Sequence, residues 1–362
     1  MIIKKFVSES DSPRLIQLIC QDDFSLTLSS LGASIRQILC PVGSSHLQNI
    51  ALSFSEEEDW RSNPLYAGAT LAPTAGRISK GLLPLKNGIC QLSRNENDCH
   101  NLHGGIHNAS FQNWELLSSE QTDASACVIF TLTLPDGLDG FPGNRQLRAT
   151  YTLTEQHVLT LNYEARSDKE TYFNLSNHCY FNLSGDFSRS AKDHILKIRA
   201  GRCLVNAPDF IPEGSQDVTG TPFDFRRPMS LKEQQDRFPG DIQLLRNQGY
   251  NHGFILDQPA LRTCDAPSSE VPGNSEPDLI CSLPDSPITL SVSSDAPCMV
   301  LYSGGYIPEG LALADGQHSV PSCALAFEFQ DYPDAPGNHG FPYETTPAGA
   351  LWKRTIVYRF DY

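Results

Sequence analysis

Basic side chains are the first shortage in this chain. Its 27 Lys and Arg stand against 42 Asp and Glu, a formal net charge of −15 over 362 residues. Too few cations are available to neutralise a run of phosphates, which argues against nucleic acid or an anionic membrane as partner and for a small ligand without strong negative charge. Long apolar runs are also missing. No stretch approaches the ~18 residues of a membrane span, and the N-terminal MIIKKFVSESDSPRLIQLIC has two lysines but no continuous apolar leader core. None of the 11 cysteines falls in a C-x-x-C pair, so neither a disulfide framework nor a zinc knuckle is indicated. These absences point to a soluble cytoplasmic protein with reduced thiols.

Helical periodicity is short as well, surfacing only around LKEQQDRF. What recurs instead is period two. RLIQLIC, CVIFTLTL, QLRATYTLT, VLTLNYEA, HILKIRA, ITLSVSS, CMVLYSGG, CALAFEFQ and RTIVYRF are short, β-branched and aromatic-rich, the signature of many short strands. Turn signals such as PDGLDGFPGN and NAPDFIPEG separate them. The pattern predicts an all-β chain, a large antiparallel β-sandwich with few short helices. Length alone allows roughly two domains, but we read residues 1–362 as one. The Pro-, Ser- and acid-rich segment 257–287 is taken as an insertion loop, because strands of the same character resume beyond it.

Polar residues on apolar strands mark the candidate site. In CALAFEFQ, Leu325, Phe327 and Phe329 share one face, while Ala324, Ala326, Glu328 and Gln330 share the other. Two alanines leave a hollow beside Glu328, and apolar surroundings raise a carboxyl's proton affinity toward useful basicity. An exposed sheet face with an ordinary Glu explains this strand equally well. In YFNLSNHCYFNLSG, Asn174, Ser176, His178, Tyr180 and Asn182 fall on one face if the stretch is extended, which suggests a wet cleft; a solvent-facing strand explains any single member. HNLHGG places His100 and His103 before a Gly pair that lets backbone approach a ligand. GYNHGFIL supplies Asn251 and His252, and LAPTAGRISKG supplies Arg77.

In this order, these segments resemble the aldose 1-epimerase (galactose mutarotase) family over nearly the whole chain. YAGATLAPTAGRI is similar to its G-A-x-x-G-R-x-A-N-R-I stretch, and NLHGG to its L-H-G-G. NLSNHCYFNLSG matches its N-L-T-N-H-x-Y-F-N-L, GYNHGFIL its G-Y-D-H-x-F-x-L, and ALAFEFQDYPDAPGN its L-x-L-E-T-Q-x-x-P-D-x-x-N close. The resemblance implies a galactose-mutarotase-like sandwich that interconverts the α and β anomers of a free hexose, glucose or galactose, as a monomer or homodimer. It implies Glu328 as general base and His178 as general acid, with Arg77, His103, Tyr180, Asn251 and Gln330 binding the sugar, and no metal or cofactor. The chain departs from the pattern at Pro73, Gly76 and Asn251, where the family has Arg, Asn and Asp. These departures leave open which hydroxyls are read.

Three other readings stand beside this one. A non-catalytic sugar-binding protein on the same fold would need no acid opposite a base. An epimerase of another, phosphorylated aldose would want cations, and near the motifs only Arg77, Lys80 and Lys86 are on offer. A metal protein would use His100, His103, His178 and Glu328 as ligands.

Overall fold

The computed structural model describes residues 1–6, 13–43, 46–257 and 276–362. Every segment with period-two alternation forms the greater part of a strand or falls within one, from Leu15–Ile19 near the start of the chain to Trp352–Asp361 at its end. Three sheets carry most of the structure, and all their pairings are antiparallel among the described residues. Five strands from Ile2–Phe6 to His46–Asn49 follow one another as a meander. The largest sheet has nine strands, in which Trp352–Asp361 lies between Val158–Ser167 and Thr289–Ser294 and so joins the two halves.

The sheet that matters for function has six strands: Tyr180–Phe181, Leu325–Gln330, Cys298–Tyr302, Asn251–Ile255, Arg202–Asn206 and Pro212–Asp217, in that order. Directly opposed residues of an antiparallel ladder share a face. Glu328 is opposite Val300, which is opposite Gly253; Ala326 is opposite both Tyr180 and Tyr302, which is opposite Asn251. One face therefore collects Tyr180, Glu328, Gln330, Val300, Tyr302 and Asn251. The other carries Leu325, Phe327, Phe329, Met299, Leu301 and Phe254 into the main apolar core. Burying that second face anchors the strand, and the first face is left to form a cavity.

The expected helix appears at Leu231–Arg237, where the Ser230 side chain accepts from the Glu233 amide, a Ser-x-x-Glu start that satisfies an otherwise orphaned donor. Two further short helices, Glu57–Ser62 and Ile242–Asn247, carried no clear period. Of the predicted insertion 257–287, residues 258–275 lie outside the described part. Leu279–Ser282 is a strand of the nine-stranded sheet, paired with Ile195–Ile198 and Thr289–Ser294, which narrows the insertion from its C-terminal side.

Candidate active site

The inner face of the six-stranded sheet is the floor of a cavity of about 360 Å³. Glu328 is 4% exposed and His178 5%. His178 Nε2 lies 3.4 Å from Glu328 Oε1, and Gln330 Nε2 donates to Glu328 Oε2 at 3.3 Å. Burial pushes the Glu328 carboxyl up to about 8, with the Arg77 charge and the Gln330 hydrogen bond opposing only part of the rise. Burial also holds the His178 imidazolium down at about 4. Both shifts disfavour a charge in a dry place. At neutral pH the pair therefore holds one proton, on the carboxyl.

His178 is fixed through its backbone. Its amide donates to Ala69 O and its carbonyl accepts from the Gly68 amide, both at 3.0 Å. His103 sits at φ +51° and is bound twice to Gly76: its amide donates to Gly76 O at 3.0 Å, and its Nδ1 accepts from the Gly76 amide at 3.2 Å. An accepting Nδ1 puts the proton of the neutral ring on Nε2, and burial first, then His178 and Arg77, keeps that ring neutral. The ring stands edge-on to His178, centroids 5.5 Å apart.

Arg77 lines the cavity while its Nε and Nη2 donate to the two carboxylate oxygens of Glu96 at 2.7 and 2.6 Å. Such a fork fixes both position and plane. Asn251 lines the cavity from the start of its strand, and its carbonyl accepts from Asn206 Nδ2 at 2.8 Å. Its neighbour His252 is buried behind the wall against Phe223. Gln330 Oε1 is buried with no hydrogen-bond partner among the described residues. An acceptor left so costs roughly 1–3 kcal/mol, and this one is on a residue of the cavity wall.

All seven expected residues, Glu328, His178, Arg77, His103, Tyr180, Asn251 and Gln330, line this one cavity. The wet cleft expected of residues 172–185 is a correction. Asn174, Ser176 and Asn182 are not in the wall, because the segment breaks into two-residue pairings, Ser176–Asn177 with Thr70–Leu71 and Tyr180–Phe181 with Leu325–Ala326. The two asparagine side chains brace backbone, Asn174 Nδ2 donating to Ala75 O and Asn182 Nδ2 to Cys323 O. The four-ligand metal set is corrected too. His100 lies apart, its Nδ1 accepting from the Lys80 amide and its Nε2 facing Asp209. Of the four, His103, His178 and Glu328 offer ligand atoms within 4.8 Å of one another.

The departures separate in the same way. Pro73 is not in the wall, whereas Gly76 is. At Gly76, with φ +70°, a Cβ would stand 2.7 Å from Gln330 Oε1.

The model of the aldose 1-epimerase family matches residues 14–359. The chain belongs to that family. It is 28% identical to the aldose 1-epimerase of Haemophilus influenzae over 90% of this chain and 88% of that one. It is 30% identical to the maltose epimerase of Levilactobacillus brevis, covering 82% and 80%. The crystal structure of galactose 1-epimerase from Lactobacillus acidophilus superposes with a TM-score of 0.80 at 29% identity, over 99% of this chain and 98% of that one. The sandwich is thus the galactose-mutarotase-like one, and the chain is an isomerase of the family.

The seven expected residues do not make up the whole wall. Glu96, Tyr66, Tyr302, Phe210 and Tyr306 also line the cavity and were missed in the sequence. Glu96 sits in a polar turn, SRNENDCH, where an acid is commonplace. Tyr302 ends its strand opposite Ala326, while Tyr66, Phe210 and Tyr306 come from separate loops, and no short-range pattern connects them.

Proposed function

We propose that the protein interconverts the α and β anomers of a hexose, with Glu328 as base and His178 as acid. The observation that carries this reading is the 3.4 Å approach of an imidazole and a carboxyl on the buried floor of one cavity. Glu328 takes the proton of the O1 hydroxyl while His178 delivers one to the ring oxygen O5, so the C1–O5 bond breaks and an aldehyde forms. Rotation about C1–C2 presents the other carbonyl face. Closure then runs the two transfers backwards, and no net proton is gained or lost. The resting proton on Glu328 must first pass to His178, and the direct contact between the two provides the route.

His103 Nε2, Arg77 and Gln330 Oε1 offer a donor, a cation and an acceptor to the sugar hydroxyls, a mixed set that suits a neutral polyol. A phosphorylated aldose fits less well. Arg77 is the one Lys or Arg in the wall among the described residues, and Glu96 already faces its charge. A non-catalytic binder has no use for a buried acid and base in contact, since each costs desolvation. One relative is named for maltose, and the mixed wall polarity alone does not choose between aldoses.

Glu328→Gln keeps the shape and removes the base. We expect mutarotation, followed by polarimetry of freshly dissolved α-glucose, to fall by roughly 10²–10⁴, with folding intact. Retention of most of the activity would remove Glu328 as base. Stability should move the other way. The native carboxyl keeps its proton to about 8 whereas an unfolded one releases it near 4.5, so wild-type stability drains as pH rises through that interval. The variant has no such loss, and its unfolding temperature should exceed the wild type's by a margin that widens with pH. Metal analysis of the purified protein tests the remaining reading of His103, His178 and Glu328 as ligands.

A further inference from the structure

Away from the cavity, two hairpin turns bring a thiol, a carboxylate and an imidazole together. Cys20 and Asp22 lie in the turn between Leu15–Ile19 and Ser25–Ser29 of the five-stranded sheet. His157 lies in the turn between Arg145–Thr154 and Val158–Ser167 of the nine-stranded sheet. One atom from each residue, a sulfur, a carboxylate oxygen and a ring nitrogen, lies within 4.8 Å of the other two. None of the three residues lines the active-site cavity.

Both turns are held by backbone. The Cys20 amide donates to Phe24 O at 2.8 Å, and the Asp23 amide to Cys20 O at 3.2 Å. The His157 amide donates to Thr154 O at 3.0 Å, and its carbonyl accepts from the Phe360 amide at 3.1 Å. His157 stands at φ +56°, a left-handed conformation uncommon outside glycine and costly enough to gather at functional positions. Its Nε2 lies 2.9 Å from Asp22 Oδ2. The carboxylate is oriented through both oxygens, Oδ1 accepting from the Phe24 amide at 3.3 Å and Oδ2 from the Tyr362 hydroxyl at 2.6 Å. Partners of this kind are what fix metal ligands in place.

An ion pair accounts for His157 and Asp22 but not for the thiol beside them. Cys20 is 3% exposed, and its Sγ meets Thr154 O at 3.5 Å, a weak bond from a weak donor. Burial, then the charges of Glu155 and Asp22, push the thiol up to about 12. The same two acids favour a cation at this point. Sulfur, imidazole and carboxylate suit a tetrahedral zinc site, in which bonds of about 2.0–2.3 Å set ligand atoms roughly 3.3–3.8 Å apart. The trio reaches that spacing with movements of about 1 Å. Exposure grades outward from Cys20 to the His157 and Asp22 side chains, 20% and 45% exposed, which gives an ion a way in.

We propose that Cys20, Asp22 and His157 bind a zinc ion that ties the two sheets together, with water in the fourth position. Cys20 releases its proton to solvent as the Zn–S bond forms, His157 binds as the neutral ring, and thiolate and carboxylate balance the double charge of the metal. The site lies outside the cavity wall, so the ion acts on stability and not on the reaction.

The test titrates reduced, metal-free protein with Zn²⁺, and with Co²⁺ as its spectroscopic stand-in. Wild type is compared with Cys20→Ala, His157→Asn and His178→Gln, the last of which disables the other trio, on the cavity floor. Wild type should bind Zn²⁺ with Kd at or below about 1 μM and give a thiolate-to-cobalt charge-transfer band. At about 100-fold excess of zinc over Kd, its unfolding temperature should rise by about 3 °C. Cys20→Ala should lose the band. In both turn variants zinc binding should weaken by more than about tenfold, the least that loss of a ligand costs, and His178→Gln should keep both band and affinity. Asparagine accepts the left-handed backbone, so His157→Asn folds even if Cys20→Ala loosens the core. A wild type without the band, a zinc Kd above about 100 μM, or a rise in unfolding temperature that both turn variants share overturns the site. So does binding that survives in the turn variants and is lost in His178→Gln, which would put the metal on the cavity floor.

Discussion

Two stretches pass through the site, and the same alternation was read in both. In Leu325–Gln330 it holds, with Glu328 and Gln330 facing the cavity and Phe327 and Phe329 facing the core. In residues 172–185 it fails. The first has a full ladder with Cys298–Tyr302 from Cys298 opposite Gln330 to Tyr302 opposite Ala326, and a continuous ladder enforces the two-residue period. The second changes partner every few residues: Asn174 bridges to Thr74, Ser176–Asn177 pair with Thr70–Leu71, and Tyr180–Phe181 pair with Leu325–Ala326. Where the ladder is broken, the side-chain amides of Asn174, Asn177 and Asn182 each donate to a backbone carbonyl. Dense Asn in an apolar strand can thus mark repair of a broken sheet as readily as contact with water.

The sharpest way to break that comparison is at His178, the member of the second stretch that does face Glu328. His178→Gln removes the acid from a position whose neighbours are fixed by backbone bonds. Turnover should fall by roughly 10²–10⁴, with little change in the unfolding midpoint. The pH profile adds a signature that a structural role would not produce. The singly protonated pair exists between about 4, where His178 gains a proton, and about 8, where Glu328 loses one. Wild-type kcat/KM should decline on both sides, the two limits belonging to the pair as a unit, and in the variant the acid limb should vanish. A residual rate that keeps both limbs would reassign the acid.

Asn182 gives the opposite result if the contrast is right. Its Nδ2 donates to Cys323 O at 2.8 Å and to Asp186 O at 3.0 Å, and its Oδ1 accepts from the Ser184 amide and hydroxyl. Asn182→Ala strands a buried carbonyl at the edge of the catalytic strand. We expect a loss of about 1–3 kcal/mol in stability by denaturant titration, with kcat at low temperature close to wild type. A large loss of turnover in a stable Asn182→Ala protein would return this residue to the cleft.

These contrasts also set how far the site could be read in the sequence. The nine alternating segments announced the sheets because side-chain period is local. Glu328 was legible for the same reason, being a carboxyl beside two alanines on a largely apolar strand, and Gln330 with it on the same face. His178, Arg77, His103 and Asn251 took their roles only from family resemblance. None of them has a local pattern that separates a ligand contact from a satisfied loop residue, and His100 and His252, drawn from the same motifs, prove to lie outside the cavity wall. Glu96 and the loop aromatics Tyr66, Phe210 and Tyr306 stayed hidden because their place in the wall depends on which loops meet across the cavity. That is a property of the folded sheets, with no trace in any window of neighbours.

The smallest effect we predict concerns one of those hidden residues. Glu96 takes two of the Arg77 donors in a fork, so it controls both the aim of the guanidinium and how much of its charge reaches the floor. Glu96→Gln keeps a neutral partner that can accept through a single oxygen. Arg77 then loses its second bond and gains freedom, and KM for the sugar should rise by about two- to fivefold, at most about 1 kcal/mol of orientation. The field should change as well. Arg77 already draws the Glu328 carboxyl downward against burial, and removing the negative charge that faces it strengthens that pull. The alkaline limb of kcat/KM should therefore shift to lower pH while the acid limb stays in place. An unchanged alkaline limb would mean that Arg77 and Glu328 do not sense each other across the cavity, and the floor would have to be treated as electrostatically separate from its wall.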